Sequence, residues 1–250
     1  IMIDGQPIED AAVADAWDEI EPFVGIVDAE LEAAGEEPLT FFELLTVLAF
    51  VAVADAPVDV LVLEVGMGSE WDSTNTADGD VAVFAPIDID HADRLGRTIA
   101  EIAAVKAGII KEGAAVVSAQ QPDEAADVLR RVAAEKSATI AFEGDEFGLT
   151  DQKLAVGGQL ISIRGLAGEY LEEYLPQYGA HQGHNAAIAL AAVEAFIGGG
   201  EQPLDIDVVR AGFAEVTSPG RLEIVRRSPT VLVDAAHTPA GAEALRAALE

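Results

Sequence analysis

The stretch VDVLVLEVGMG, residues 58–68, is the segment of this chain that decides its fold class. Branched apolar residues lead to the carboxylate of Glu64, and glycines follow at positions 66 and 68. Such a run predicts a buried parallel strand over 58–64. Open α/β sheets bind ligands at the carboxyl ends of their strands, so Glu64 is predicted to lie at a ligand-binding edge. An ordinary exposed acid is the alternative in a chain with so many acids.

The rest of the chain alternates between strand and helix patterns, which predicts a mostly parallel, doubly wound α/β sheet. The predicted strands of this sheet cover 80–85, 114–118 and 138–142, with helices over 98–108 and 123–136. Glycine-rich residues 144–180 predict a small antiparallel excursion. Further helices are predicted over 10–35, 40–54, 184–197, 205–214 and 239–249, and further strands over 222–226 and 230–234. Thr40 and Glu43 have the spacing of a capping box, and Pro22 is expected to break or kink the first helix.

The charge of the chain is strongly negative, with 45 Asp and Glu against 14 Lys and Arg and a net charge of −31. This balance excludes a nucleic-acid binder, which needs a basic surface. Because half of the residues are hydrophobic, the charge indicates an acidic surface on a folded protein rather than disorder. High salt makes such a surface tolerable, so we expect a cytoplasmic protein of a halophile, with an ordinary acidic protein as the alternative.

Two composition features narrow the class further. The chain has no cysteine, which excludes disulfides and thiolate metal sites. Its apolar runs are shorter than the ~18 residues that a membrane span needs, so no membrane partner is expected.

Lys106 is the most informative candidate outside the opening stretch. It lies on the same helical stripe as Ile99, Ile102, Ala103 and Ile110, which is predicted to face the core. A lysine there either extends its ammonium to an anionic site or has its charge removed by modification. The alternative is a snorkelling lysine, which buries its stem and keeps its ammonium in water.

His91 follows a predicted strand among three aspartates, where an imidazole is either a metal ligand or an ordinary surface side chain. Three further polar clusters are GAHQGHN (179–185), SPGR (218–221) and VLVDAAHTP (231–239), each a weak signal by itself. The first opens a helix, where anionic or purine ligands bind readily.

Taken together and in order, these segments resemble the folylpolyglutamate synthase / dihydrofolate synthase family of the Mur-type ATP-dependent amide ligases. The matching segments are LTFFE (39–43), LEVGMG (63–68), DSTN (72–75), DH (90–91), KAGIIK (106–111), HQ with the Asn three residues later (181–185), PGR (219–221) and DAAH (234–237). The resemblance implies the central ATPase domain of such a ligase over 1–218 and the start of a Rossmann-like C-terminal domain over 219–250.

The resemblance also implies a role for each matching residue. Glu64 and His91 would bind Mg²⁺, and Lys106 would be a carbamylated lysine that helps to hold a second Mg²⁺. Asn185 would contact adenine, Arg221 and His237 the phosphates, and Asp234 the ribose of ATP. Thr40, Phe42, Asp72 and Asn75 would lie toward the pterin-bearing substrate.

The implied reaction activates a carboxylate of folate or dihydropteroate as an acyl phosphate, which the amine of L-glutamate then attacks. The cofactors would be ATP and Mg²⁺, and archaeal members of the family can carry a fused dihydropteroate synthase. A Mur-type peptidoglycan-precursor ligase and a catalytically dead nucleotide-binding module are the alternatives.

One departure from the family pattern concerns the phosphate loop G-x-x-x-x-G-K-[ST]. No lysine in these residues follows a glycine, so the loop is absent from them. We therefore expect a fragment of a longer enzyme, inactive if taken alone.

Overall fold

A computed structural model describes residues 1–89 and 92–249, which form two compact units, Ile1–Ala77 and Asp78–Glu250. In the first unit, a short hairpin of β1 (Met2–Ile3) and β2 (Gln6–Pro7) precedes two helices, α1 (Asp10–Ala34) and α2 (Phe41–Asp55).

The ends of α1 and α2 follow the sequence signals. Gly35 ends α1 in the left-handed conformation at φ 77°, which glycine adopts without steric cost. Thr40 caps α2: its hydroxyl accepts from the Glu43 N–H at 3.3 Å, and the Glu43 carboxylate accepts from the Thr40 N–H at 2.7 Å. Pro22 does not break α1, because one missing backbone donor does not end a helix of 25 residues.

The predicted strand over 58–64 is wrong. These residues run irregularly between α2 and a short 3₁₀ turn, Ser69–Trp71, and Val62 is 88% exposed. A strand persists only through hydrogen bonds to a neighbouring strand. Within residues 1–89 and 92–249 no strand pairs with this segment, so its apolar pattern alone does not make it one. Glu64 is therefore an exposed acid in an irregular segment of the first unit.

The second unit is built on a parallel sheet that confirms the predicted α/β class. Its strands are β3 (Val81–Phe84), β4 (Ala115–Ser118) and β5 (Thr139–Phe142), in that order. The crossovers contain α3 (Ala92–Leu95), α4 (Ile99–Lys106) and α5 (Asp123–Glu135).

Both faces of this sheet are covered, as a doubly wound sheet requires. Val117 of β4 belongs to the buried cluster that includes Ala187 and Ala191 of α6 (Ala180–Gly198). Val116, which points to the opposite face, is also only 1% exposed. The continuous apolar character of β4 follows from this burial on two sides.

The antiparallel excursion forms a meander of β6 (Gly148–Ala155), β7 (Gly158–Arg164) and β8 (Glu169–Leu175). It lies within the predicted range 144–180, and α7 (Ile206–Ala214) packs against β8. A hairpin of β9 (Glu223–Arg227) and β10 (Thr230–Val233) and then α8 (Pro239–Leu249) follow in the chain.

A buried carboxylate links the meander to α6. Glu194 is fully buried, and it accepts hydrogen bonds from the N–H of Leu166 and from the hydroxyl of Tyr170, the latter at 2.7 Å. The Tyr170 oxygen in turn accepts from the Leu204 N–H at 2.7 Å. Such a charge is tolerated in a core because donors surround it.

Within the described parts of the chain, no helix combines the length and the apolar character that a bilayer crossing demands.

Candidate active site

The candidate nucleotide site of the second unit is built around the first two turns of α6. This helix begins at Ala180, four positions before the predicted start, so His181, His184 and Asn185 lie within it. Gly179 precedes it at φ 95°, and a Cβ there would lie 2.6 Å from the His181 ring. Only glycine allows the imidazole to fold back so closely over this position.

Two glutamines from the meander hold the start of α6. Gln152 Nε2 donates to Gln159 Oε1 at 2.6 Å and to the Ala180 carbonyl at 3.3 Å. Gln159 Nε2 donates to the Gly179 carbonyl at 3.3 Å. Because these bonds join the Gly179 and Ala180 carbonyls to side chains of β6 and β7, they fix where the first turn of α6 lies relative to these strands.

Asp234 and Arg221, which are predicted nucleotide-binding residues, lie beside this helix start. Partial burial opposes the ionisation of Asp234, but the N–H groups of Ala236 and Leu222 donate to it at 2.8 and 2.9 Å. With Arg221 and His181 also close, the net effect holds the pKa of this carboxyl below its usual range. Asp234 is therefore a stably ionised group.

His181 belongs to the same group of side chains. Its pKa is lowered mainly by burial of the ring; Asp234 raises it, while Arg221 and His184 lower it further. Leu222 lies against Gly179, its N–H donates to Asp234 at 2.9 Å, and the Ala235 N–H donates to the Gly220 carbonyl at 2.8 Å. The clusters 179–185, 218–221 and 231–239, separate in sequence, thus meet in one place.

The remaining predicted nucleotide ligands have exposed side chains. Asn185 donates from Nδ2 to Gln182 Oε1 at 3.1 Å. His237 donates from Nδ1 to the Ala235 carbonyl at 2.9 Å, which leaves its Nε2 on the exposed edge of the ring.

Glu143 is a candidate site residue that the sequence predictions do not include. It follows β5 directly, it is 9% exposed, and its Oε1 accepts from His184 Nδ1 at 2.5 Å. Glu143 and Glu64 share one sequence signal, which is a carboxylate immediately after an apolar run. At Glu143 the apolar run is a strand in the structure, whereas at Glu64 it is not.

Lys106 lies on the predicted core-facing stripe of α4. Ile102 and Ala103 are fully buried, Ile110 is 2% exposed, and Lys106 itself is half-buried. Within the described residues, no carboxylate lies within ion-pairing distance of its ammonium. The structure thus confirms the stripe, and carbamylation stays a prediction.

The predicted metal ligands are only partly described. His91 lies outside the described residues. Across residues 1–89 and 92–249, no three His, Asp or Glu side chains are grouped closely enough to hold a metal ion. The exposed carboxylate of Glu64 is of the chemical type that Mg²⁺ prefers, and Mg²⁺ usually completes its shell with water and substrate phosphates. The donor chemistry fits magnesium, and the ligand set itself stays a prediction.

The predicted substrate-side residues of the first unit surround a loop held by Asp72. This side chain is 7% exposed; it accepts from the Met67 N–H at 2.8 Å and from the Thr74 N–H and hydroxyl at 2.9 and 2.6 Å. Asp72 therefore holds the loop together, and contact with a substrate stays a prediction.

The other three substrate-side predictions have different surroundings. The Phe42 ring packs against Gly66, where a Cβ would lie 2.5 Å from it. Asn75 donates to the Glu70 carbonyl at 3.0 Å, and the Thr40 hydroxyl is engaged in the capping box. Within this group, Phe42 and Asp72 both lie beside Gly66, and the Asn75 N–H donates to the Asp72 carbonyl at 2.9 Å.

Residues 11–193 match the model of the Mur ligase middle domain. This match covers well over half of the chain, so the chain belongs to the Mur ligase family. Within that family it is similar to folylpolyglutamate and dihydrofolate synthases, as the sequence predicts.

The similarity extends along nearly the whole chain. The chain is 50% identical over 256 residues to the dihydrofolate synthase/folylpolyglutamate synthase of Mycobacterium tuberculosis, covering 98% of this chain and 52% of that protein. A crystal structure of the M. tuberculosis folylpolyglutamate synthase with ADP and AMPPCP superposes with a TM-score of 0.93, covering 99% and 56% of the two chains. The solved FPGS–AMPPCP–folate complex gives 0.92 at 33% identity, covering 100% and 60%.

A relative from a halophile is more distant. The Haloferax volcanii protein, named as a probable bifunctional folylpolyglutamate synthase/dihydropteroate synthase, is 32% identical over 96% of this chain and 28% of its own length. The chain spans about half of the length of the first two relatives, M. tuberculosis and Lacticaseibacillus casei.

Proposed function

We propose that the protein uses ATP to add L-glutamate to folate or dihydropteroate through an acyl phosphate. The observation that carries this proposal is the 50% identity, over 98% of the chain, to a dihydrofolate synthase/folylpolyglutamate synthase. The solved relatives in complex with ADP, AMPPCP and folate support a nucleotide and a folate as its ligands.

The geometry of the second unit supports a nucleotide at the start of α6. The Arg221 guanidinium supplies positive charge for phosphates, and the amide of Asn185 is exposed for a base. Asp234 is ionised and held by two N–H donors, so its remaining lone pairs are oriented for hydroxyl donors such as those of ribose. His237, whose Nε2 is exposed, would contact phosphates.

In the proposed metal chemistry, Glu64 and His91 would bind Mg²⁺, and Lys106, as its carbamate, would help to hold a second Mg²⁺. Mg²⁺ would neutralise charge on the transferred phosphoryl group. Lys106 is half-buried on an apolar stripe, and no carboxylate among the described residues lies within ion-pairing distance, so no such ion pair has to be broken for the carbamate to form.

The decisive assay supplies the full-length protein with ATP, Mg²⁺, labelled glutamate and one acceptor at a time. We expect glutamylated product, measured by mass spectrometry, with a folate or dihydropteroate acceptor. Product that forms only with UDP-muramyl acceptors would favour the peptidoglycan-precursor ligase instead. If no product forms with any acceptor while ATP still binds, the protein is the inactive nucleotide-binding module.

A pair of lysine variants tests the carbamate. Lys106→Ala should abolish ligation, and added bicarbonate should not restore it. Lys153→Ala is the matched control, because this lysine is exposed on β6, where its ammonium pairs with Asp151. Near-normal ligation by Lys106→Ala would refute the role.

We also propose that the protein is adapted to high salt, is cytoplasmic and carries a fused dihydropteroate synthase. The net charge of −31 supports the adaptation to high salt. The fusion is proposed from the Haloferax volcanii relative, which is named as a probable bifunctional folylpolyglutamate synthase/dihydropteroate synthase.

A further inference from the structure

The pair of Glu143 and His184 joins the carboxyl end of β5 to the second turn of α6. Glu143 is nearly buried, whereas the His184 side chain is 53% exposed. Ligands of open α/β sheets bind at the carboxyl ends of the strands, so this hydrogen-bonded pair lies at the ligand-binding edge. Neither residue has a role in the proposed reaction as described above.

The carboxylate determines which nitrogen of the His184 ring carries a proton. An ionised carboxylate can only accept, so Nδ1 donates to Glu143 Oε1. In the neutral ring, Nε2 then carries a lone pair and is an acceptor. Because Glu143 is anchored at the end of a buried strand, this orientation of the ring is set before any ligand binds.

The neighbouring residue presents the same kind of atom. Asn185 Nδ2 donates to Gln182 Oε1, which leaves Asn185 Oδ1 as the acceptor on an exposed side chain. Acceptors of this kind at the start of α6 are complementary to a ligand group that carries N–H donors. The exocyclic amine of adenine is such a group, whereas guanine has a carbonyl oxygen at the same ring position.

We propose that His184, oriented by Glu143, is a specificity-determining residue that accepts a hydrogen bond from the exocyclic amine of adenine and disfavours guanine. This inference rests on the proposed function, since it assumes that Asn185 faces the base. Glu143 is a positioning residue, because it acts only through the imidazole. The phosphates and the reacting carboxylate are untouched by this pair.

The test compares the binding of ATP and GTP to the full-length protein by titration calorimetry at mildly alkaline pH. The wild type should prefer ATP, and His184→Ala should lower the ratio of the two affinities about tenfold, the size expected for one lost hydrogen bond and one relieved repulsion. In the ligation assay, the KM for ATP should rise while kcat stays unchanged. Arg131→Ala is the control, because it removes an exposed ion pair with Glu135 on α5.

Glu143 variants separate positioning from a structural role. Glu143→Gln keeps an oxygen that can accept from Nδ1, so it should retain the ATP preference. Glu143→Ala should lower the ratio as far as His184→Ala does, and it should have no further effect when combined with His184→Ala. A structural role alone would weaken ATP and GTP equally and would persist in the double variant.

Several outcomes overturn the proposal. A folded His184→Ala protein whose ratio stays within about twofold of the wild type refutes it, and so does a wild type that binds both nucleotides equally. A wild type that binds neither nucleotide refutes both this inference and the proposed function. A ratio that depends on His184 in a protein that does not ligate glutamate refutes the proposed function alone.

Discussion

Replacing Tyr170 with Phe tests the buried network that joins the meander to α6. The Tyr170 hydroxyl donates to Glu194 at 2.7 Å and accepts from the Leu204 N–H at 2.7 Å, and the residue is 2% exposed. A hydrogen bond to a charged group contributes about 1.5–3 kcal/mol and a neutral one about 0.5–1.5 kcal/mol. We therefore expect Tyr170→Phe to lower the free energy of unfolding by about 2–4 kcal/mol.

Urea unfolding followed by circular dichroism measures this change, with an unchanged m-value if the variant remains two-state. Tyr174→Phe is the matched control on the same strand. Its hydroxyl donates to the Val156 carbonyl at 3.2 Å in an exposed position, so its loss should cost less than about 0.5 kcal/mol. Equal losses for the two variants would show that the Glu194 network does not stabilise the fold.

The same network should also affect stability and tyrosine ionisation at alkaline pH. Burial, together with the hydrogen bond to Glu194, raises the pKa of Tyr170 to about 12, although the Leu204 N–H opposes this. Because the folded state binds this proton more tightly, the contribution to stability is fully present below pH ~10 and is lost as the pH rises toward 12. In an absorbance titration, one of the three tyrosines should ionise late, and Tyr170→Phe should remove that component. A late component that survives the substitution belongs to another tyrosine.

Three further predictions concern pH, a glycine and salt. Burial of the ring lowers the pKa of His181. Asp234 opposes this effect, whereas Arg221 and His184 add to it. The wild type should therefore lose stability as the pH falls below ~6.5, and His181→Gln should lose less over that range; equal slopes in thermal unfolding would contradict this. Gly66→Ala places a methyl 2.5 Å from Phe42 and 3.0 Å from Asp72, so it should raise the KM for the folate substrate and lower the melting temperature. Gly25→Ala, whose added methyl meets nothing within 4 Å, should be neutral or stabilising, and the same result for Gly66→Ala would refute the packing argument. The free energy of unfolding should rise with KCl toward 1 M, where the Debye length is ~3 Å, and full stability in dilute buffer would exclude the halophile hypothesis.

Most of the secondary structure could be predicted from local signals. The capping box of Thr40 and Glu43, the stop at Gly35 and the apolar stripe of α4 each depend on residues within a few positions of one another. Residues 58–64 could not be predicted in this way, because their state depends on a pairing strand and not on their own composition.

The candidate site likewise has features that the sequence determined and features that only the tertiary structure determined. The sequence by itself determined which residue types are present, in what order, and hence the family resemblance and the candidates Asn185, Arg221, Asp234 and Lys106. Only the tertiary structure brought Arg221 and Asp234 to the start of α6, and only it paired Glu143 with His184, 41 positions away. The physical reason is that a hydrogen bond or an ion pair depends on distances of a few ångströms, and packing sets such distances between residues that are far apart in sequence.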